Sequence, residues 1–494
     1  MKAFNKKRLV SSLLALMLAS LCACSPQIED APKTEDTPEI QAPSADESDK
    51  TDAPPEPQKE PCEFELLQGE DHGGREFIIA TTDEAFTDSA AESGIIGKAL
   101  YKRNRAIEEK FNIKIKTVPV EDYLLQTQLR AAQNEGTPVF DLVYAPMDTI
   151  ASCGAGGLLM NIYSVPYFSV DKAYAEAELT KELSQNDTTY GVYGDAAYDD
   201  RNMWCVYYNK DILSFLGYPD PYSMVKDGSW TWDTFLAIAN GAVSDLDGNK
   251  RMSKDKDRYG YSSSMNTSAF ANAVFASFGK KYFSRDEEGF FTMDFSESEK
   301  DKYMELLRKI CVTDKAKYPG NDPGAEALEA FSQNRLAFFC ERLSYASSLA
   351  YIPANWGILP MPKRNAEQEG YFSLADGTTC GYAVPQKIAD SDLAGKVLDA
   401  IYLYDDCYGE EENTVQLAFT YYYLRDNDSA AALSLIEKGT VYDAAYAFGA
   451  GMPDFSMASY GLIRSCLENN VNFSHLYTQN QKPFSAFMRQ KFVH

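Results

Sequence analysis

Between Phe77 and Tyr144 the chain alternates between strand-like and helix-like apolar patterns, and a parallel sheet flanked by helices is the architecture that accommodates this order. Phe77-Ile78-Ile79-Ala80 is an unbroken apolar run suited to a buried strand. Ile96, Leu100, Ile107 and Phe111, with Ala99 and Ala106 between them, share one helical face, while Lys102, Arg103, Glu108 and Glu109 point away. The segment Ile113 to Val118 then alternates as a strand does. Tyr123 to Asn134 is helical and stops before Gly136 and Pro138, and Phe140 to Tyr144 supplies a third strand. The predicted unit is β-α-β-α-β with right-handed crossovers. Ligands of such sheets collect beyond the carboxyl ends of the strands, which directs attention to Thr82-Asp83 and to the turn Ala145 to Asp148. Asp83 and Asp148 each read either as a helix N-cap or as a ligand contact.

Further along, Gly191 to Arg201 is rich in Gly, Ala, Tyr and Asp and precedes the strand Trp204 to Tyr208. It is the expected first crossing between two lobes, because residues 73–494 exceed what one hydrophobic core spans. Asp199, Arg201, Asn202 and Trp204 are candidate contacts there. Trp230 and Trp232 open a helix that runs to Ala242, and Trp232 reads as core packing or as a ligand stacker. The loop with Asp245, Asp247, Asp255 and Asp257 invites a calcium reading, but Gly248 and Lys256 fall where the EF-hand spacing needs other residues, so a solvated loop is expected. Leu336 to Cys340 is a buried strand ending in Glu341-Arg342, Trp356 to Pro362 an extended edge segment, and Tyr382 to Pro385 the return to the first lobe.

Upstream, Lys2, Lys6, Lys7 and Arg8 precede an apolar run from Leu9 to Leu21 that is too short to span a bilayer. This is a signal-peptide pattern over residues 1–23. Residues 25–72 hold 15 acidic and 3 basic side chains among Pro, Thr, Ser and Ala, and read with Cys24 as a disordered tether over 24–72. A formal charge of −26 disfavours nucleic acid and anionic lipid headgroups as partners. The eight cysteines from Cys62 to Cys466 include no CxxC pair and read as scattered core residues, with some bridges left open.

Leu21-Cys22-Ala23-Cys24 resembles the bacterial lipobox, whose cysteine is diacylated and becomes the new N-terminus. Asp141-Leu-Val-Tyr-Ala-Pro-Met-Asp148, Val206-Tyr-Tyr-Asn209-Lys210-Asp211, Gly228-Ser-Trp-Thr-Trp232-Asp233, Asp257-Arg-Tyr-Gly260 and Gly357-Ile-Leu-Pro-Met-Pro362 follow in order. Together they resemble extracellular solute-binding proteins of family 1, the sugar-binding, maltose-binding-protein-like type. The resemblance implies a periplasmic-binding-protein-like fold of type II, two α/β lobes on a hinge with the solute in the cleft. Lobe 1 is expected over 73–198 plus about 375–430, and lobe 2 over 199–374 plus about 431–494. Asp148 matches a carboxylate that bonds sugar hydroxyls, and Asp83 lies near another. Asn202 replaces a hinge-side acid, Tyr460 falls on a stacking aromatic, and Arg342 lies where an aromatic is missing and would suit a carboxylate or uronic acid. The implied partners are a small-molecule solute, probed first as a sugar, ABC permease subunits, and the membrane through lipid on Cys24. The expected state is a monomer on the outer face, without cofactor or metal.

A secreted glycoside hydrolase is the competing class, given 73 acidic residues. Histidine chemistry has little to work with, since His72, His475 and His494 are the only histidines. No GxSxG elbow or phosphate-binding loop occurs. Within the binder class the cargo could instead be a peptide, a polyamine or another charged solute.

Overall fold

Two mixed sheets carry the folded body. In chain order the strands are β1 (Arg75–Thr81), β2 (Ile113–Pro119), β3 (Leu142–Pro146), β4 (Trp204–Asn209), β5 (Tyr259–Ser263), β6 (Phe283–Arg285), β7 (Phe291–Met293), β8 (Leu336–Arg342), β9 (Trp356–Leu359), β10 (Ser373–Leu374), β11 (Cys380–Ala383) and β12 (Thr440–Val441). The computed structural model describes residues 61–491 apart from 84–85, 87–93, 173–176, 198–201, 264–266, 294–296, 321–322, 413–422, 446–459 and 470.

The first sheet has the order β11-β3-β1-β2, with β1 parallel to both β2 and β3 and β11 antiparallel to β3. The expected β-α-β-α-β unit is present, its helices being Gly94–Phe111 and Asp122–Glu135. Gly136 ends the second of them at φ 71°, a conformation that costs a residue with a Cβ more than glycine. The second sheet has the order β5-β8-β4-β9, with β4 antiparallel to its neighbours β8 and β9 and β5 parallel to β8. β9 lies at the edge, where the prolines that follow it remove no ladder hydrogen bond. The return to the first lobe is β11, as expected. By Asp426 the chain is back on the second sheet, because Lys210 Nζ bonds Asp426 Oδ2 at 2.8 Å and Ser429 Oγ accepts from Ile358 N of β9.

Most residues of the ordered motifs hold the fold together. Asp141 accepts from Arg75 Nη2 at 2.6 Å and from Ile78 N at 2.8 Å, tying β3 to β1. Asn209 and Thr231 cap the helices Lys210–Phe215 and Trp232–Ala242 through bonds to Ile212 N and Thr234 N. Gly260 is required by close approach, since a Cβ there would sit 2.3 Å from the carbonyl oxygen of Ala239.

The amino-terminal edge differs from the expected tether. Residues 61–72, inside the expected tether, are folded, with Glu63–Leu66 forming a short helix whose Phe64 is buried against Tyr404 and Tyr408. Cys62 and Cys407 form a disulfide that fastens this strap to the helix Ser391–Glu412. Two of the eight cysteines are therefore a bridge rather than core residues. The buried aromatic, the covalent link and backbone bonds from Glu70 N to Lys110 O and from His72 N to Phe111 O hold a segment whose composition reads as disordered. The remaining described cysteines, 153, 205, 311, 340, 380 and 466, are buried and lie outside this bridge.

Candidate functional site

Two of the chain's crossings between the lobes lie side by side. The first is pinned to lobe 1 up to Ala197, where Arg103 Nη1 and Tyr144 Oη donate to the carbonyls of Ala196 and Ala197 at 2.8 and 2.9 Å. It then passes into β4. The second runs back from β10 through Ala375 to Thr379 into β11. The two are paired directly: Met203 bridges Ala375, and Asp376 N donates to Asn202 O at 3.0 Å.

Residues 376–379 of the second crossing form the centre of the junction. On one side, the carbonyls of Thr379 and Gly377 accept the amides of Met147 and Asp148, at 2.8 and 3.2 Å, from the first turn of the helix Met147–Ala155. On the other side, Asp376 Oδ2 accepts Trp204 Nε1 at 3.3 Å, and Arg342 Nη1 donates to Thr378 Oγ1 at 3.2 Å. Asn202 Nδ2 donates to Thr378 O at 3.3 Å. The loop thus gathers Asp148, Asn202, Trp204 and Arg342, four candidates more than a hundred residues apart at their extremes. Sequence reasoning missed the loop itself, with Asp376, Thr378 and the neighbouring Glu341.

Asp148 is half-buried, and its Oδ1 accepts from Thr149 N at 2.7 Å. It is not the N-cap, a position held by Pro146. Burial, reinforced by the charges of Asp122 and Asp376, pushes its carboxyl up to about 6 despite the bonds from Thr149. Arg342 lies between two acids, with its Nε 3.2 Å from Glu341 Oε1 and Nη1 3.9 Å from Asp376 Oδ1. Asp83 is half-buried in the turn after β1, where its amide donates to Thr81 Oγ1 at 3.2 Å.

Of the two readings open for each tryptophan, packing is the one the structure shows. Trp232 is fully buried and its indole donates to Ser277 Oγ at 3.0 Å, so it has no surface for a solute and leaves the candidate set. Trp204 is equally buried, so it serves the junction from beneath rather than stacking on a ligand. Asp199 and Arg201 lie outside the described residues, as does Cys24; Tyr460 opens the helix Tyr460–Glu468. In the loop after Val243, carboxylate oxygens of Asp245, Asp247 and Asp257 lie within 4.8 Å of one another. They already accept backbone amides, Asp245 from Gly248 and Lys250, Asp247 from Asn249, and Asp257 from Leu246 and Ser253.

Two α/β lobes joined by paired crossings, with polar groups converging at the strand ends beside them, define a cleft-type binding protein. Residues 102–405 match the model of the bacterial extracellular solute-binding proteins, and the chain belongs to that family. The fold is similar to the maltose/maltodextrin-binding domain MalE of Bdellovibrio bacteriovorus, solved with maltotriose, at TM-score 0.51 and 14% identity over 84% of this chain and 100% of that one. It is also similar to the GacH receptor of Streptomyces glaucescens, solved unliganded and with acarbose, at TM-score 0.55 and 13% identity over 84% and 99% of the two chains. MalE of Listeria monocytogenes, solved with maltose, gives TM-score 0.54 and 15% identity over 85% and 99%. A search of curated proteins found no match.

Proposed function

We propose that this protein is the receptor subunit of an ABC importer and captures a neutral carbohydrate or oligosaccharide between its lobes, leaving it chemically unchanged for a membrane permease. The observation that carries the reading is the convergence of Asp148, Thr149, Asn202, Arg342 and Thr378 at the crossings, a set of hydroxyl, amide and charged groups suited to paired hydrogen bonds with a sugar. The ligands of the similar structures add support. Arg342 suits an anionic solute poorly, because Asp376, and Glu341 when ionised, already flank it and an added carboxylate would meet their like charge. The acid surplus formed with Asp122 and Asp148 favours a second reading, in which the cargo is a cationic peptide or polyamine. Solute-selected closure of the lobes follows from either reading.

Thermal-shift measurements with maltotriose, galacturonate, short peptides and spermidine separate these cases. A shift with the neutral oligosaccharide is expected. Stabilisation by peptides alone would replace the carbohydrate reading, and release of reducing sugar from an oligosaccharide would make the protein a glycoside hydrolase.

Lipid on Cys24 is the anchor in this reading, with residues 25–60 as the spacer before the ordered strap. Among the described residues no helix is long and apolar enough to cross a membrane. Replacing Cys24 by Ala is expected to move the protein from the membrane fraction to the medium; retention at the membrane in that variant would refute lipid anchoring at this cysteine.

A further inference from the structure

At the inner end of the junction, Glu341 is fully buried near the end of β8. Its Oε1 accepts Arg342 N at 2.9 Å and faces Arg342 Nε at 3.2 Å, whereas Oε2 has no hydrogen-bond partner among the described residues. Burying an ionised carboxylate with one oxygen unbonded is expensive, and a proton on that oxygen removes the charge and most of the expense. From Glu341 the polar contacts run without a break across the lobes. Arg342 reaches Thr378 and Asp376, Asp376 holds the Trp204 indole, and the carbonyls of Gly377 and Thr379 hold the amides of Asp148 and Met147.

We propose that Glu341 is a positioning residue for the solute site: a proton taken from solvent on Oε2 frees Arg342 to move towards Asp376, and its loss draws Arg342 back, so the 376–379 loop and Asp148 shift with pH. The proposal's bearing on solute binding rests on the reading of Asp148 as a solute contact. Its physical basis is competition of two buried carboxylates for one guanidinium.

The groups facing Glu341 leave it as the one suited to respond near neutrality. β4 contributes Cys205, whose thiol donates to Glu341 O at 3.3 Å, and Tyr207, whose hydroxyl donates to the carbonyls of Arg342 and Leu343. β8 contributes Cys340 and Arg342, the crossing loop contributes Asp376, and Tyr345 faces Arg342. Burial holds both thiols and the Tyr207 phenol well above their ordinary ranges, so none of them ionises near neutral pH. Burial likewise pushes Glu341 up to about 7, with the charge of Asp376 adding to it and the bonds and charge of Arg342 opposing.

Trp204 is a reporter inside the network. The full chain labelled with 15N-tryptophan gives an indole N–H signal for each tryptophan, and the Trp204→Phe variant assigns the relevant one. That signal is expected to titrate between pH 5.5 and 8.5 with a midpoint near 7, to lose the titration in Glu341→Gln, and to keep it in Asp148→Asn. Asp376→Asn removes a like charge, so it should move the midpoint to lower pH; this arm also serves if Glu341→Gln does not fold. A flat Trp204 signal, a titration that survives Glu341→Gln, or an unmoved midpoint in Asp376→Asn overturns the proposal. No solute enters the measurement. A failure of solute binding would therefore count against the proposed function and leave the Trp204 result to be read by itself.

Discussion

Reducing the bridge between Cys62 and Cys407 is expected to lower the stability of the folded body by about 5 kcal/mol, because chain-entropy stabilisation grows with the length of the closed loop. The bridged residues are 345 apart in sequence, so the loop encloses most of the folded body. The strap it secures is held otherwise by the burial of Phe64, a bond from Lys110 Nζ to Glu65 O at 3.0 Å, and the ion pair of Lys396 with Glu70 at 2.6 Å. The exposed pair adds little by itself. At this chain length the loss corresponds to a fall of roughly 5 °C in melting temperature. Differential scanning calorimetry of the Cys62→Ser/Cys407→Ser variant checks it. A melting point within a degree of the parent would show that the bridge contributes nothing to the folded state.

Replacing Asp148 is expected to move affinity and stability in opposite directions. Losing a charge-assisted hydrogen bond to a solute hydroxyl costs about 1.5–3 kcal/mol, or about tenfold to a hundredfold in affinity. Asp148→Ala should show that loss by calorimetric titration, and Asp148→Asn, which keeps one acceptor, a smaller one. Stability follows a different sign. The folded-state carboxyl is raised from 3.8 to about 6, so its contribution is most favourable below the unfolded value and declines as pH rises through 6. Above that pH the ionised, half-buried group opposes folding by about 1–3 kcal/mol after allowance for solvent screening. Asp148→Asn is therefore expected to melt higher than the parent at pH 7.5 and at nearly the same temperature at pH 4. A variant that binds normally removes Asp148 from the site, and one that melts lower at pH 7.5 contradicts the electrostatic account. Stability given up for a contact that only a ligand repays is what a binding residue is expected to show.

The first sheet was legible because its side chains announce it. Phe77 to Ala80 and Ile113 to Val118 have strand periods, and the face from Ile96 to Phe111 has a helical one. The candidate site was legible only in part. Asp148 becomes a candidate because carboxyl ends of parallel strands are where ligands gather, and Arg342 because it lies near a position where the family resemblance implies an aromatic; the structure places both beside the 376–379 loop. The 376–379 loop escaped because its work is done by the carbonyls of Gly377 and Thr379, which no side-chain pattern encodes. Glu341 did leave a signal, an acid closing the apolar run from Leu336, but an acid at a strand end is more often solvated than buried. Trp232 stayed open between core and ligand in the sequence because an aromatic suits a core and a sugar face equally well. The pairing of Cys62 with Cys407 depends on where the helix Ser391–Glu412 comes to lie, which spacing alone does not specify.

The burial of the cysteines outside the bridge has a practical consequence for watching the lobes move. Burial pushes the thiols of Cys153 and Cys311 up to about 12 and that of Cys466 to about 11, and holds Cys205 and Cys340 well above their ordinary range. Thiol-directed dyes react with the accessible thiolate, and these groups present very little of it. A cysteine introduced on each lobe, in a form beginning at Pro61, could therefore carry a fluorophore pair with little background from the native residues. The distance between the lobes then becomes an optical signal, read in the folded protein as solute or pH is varied.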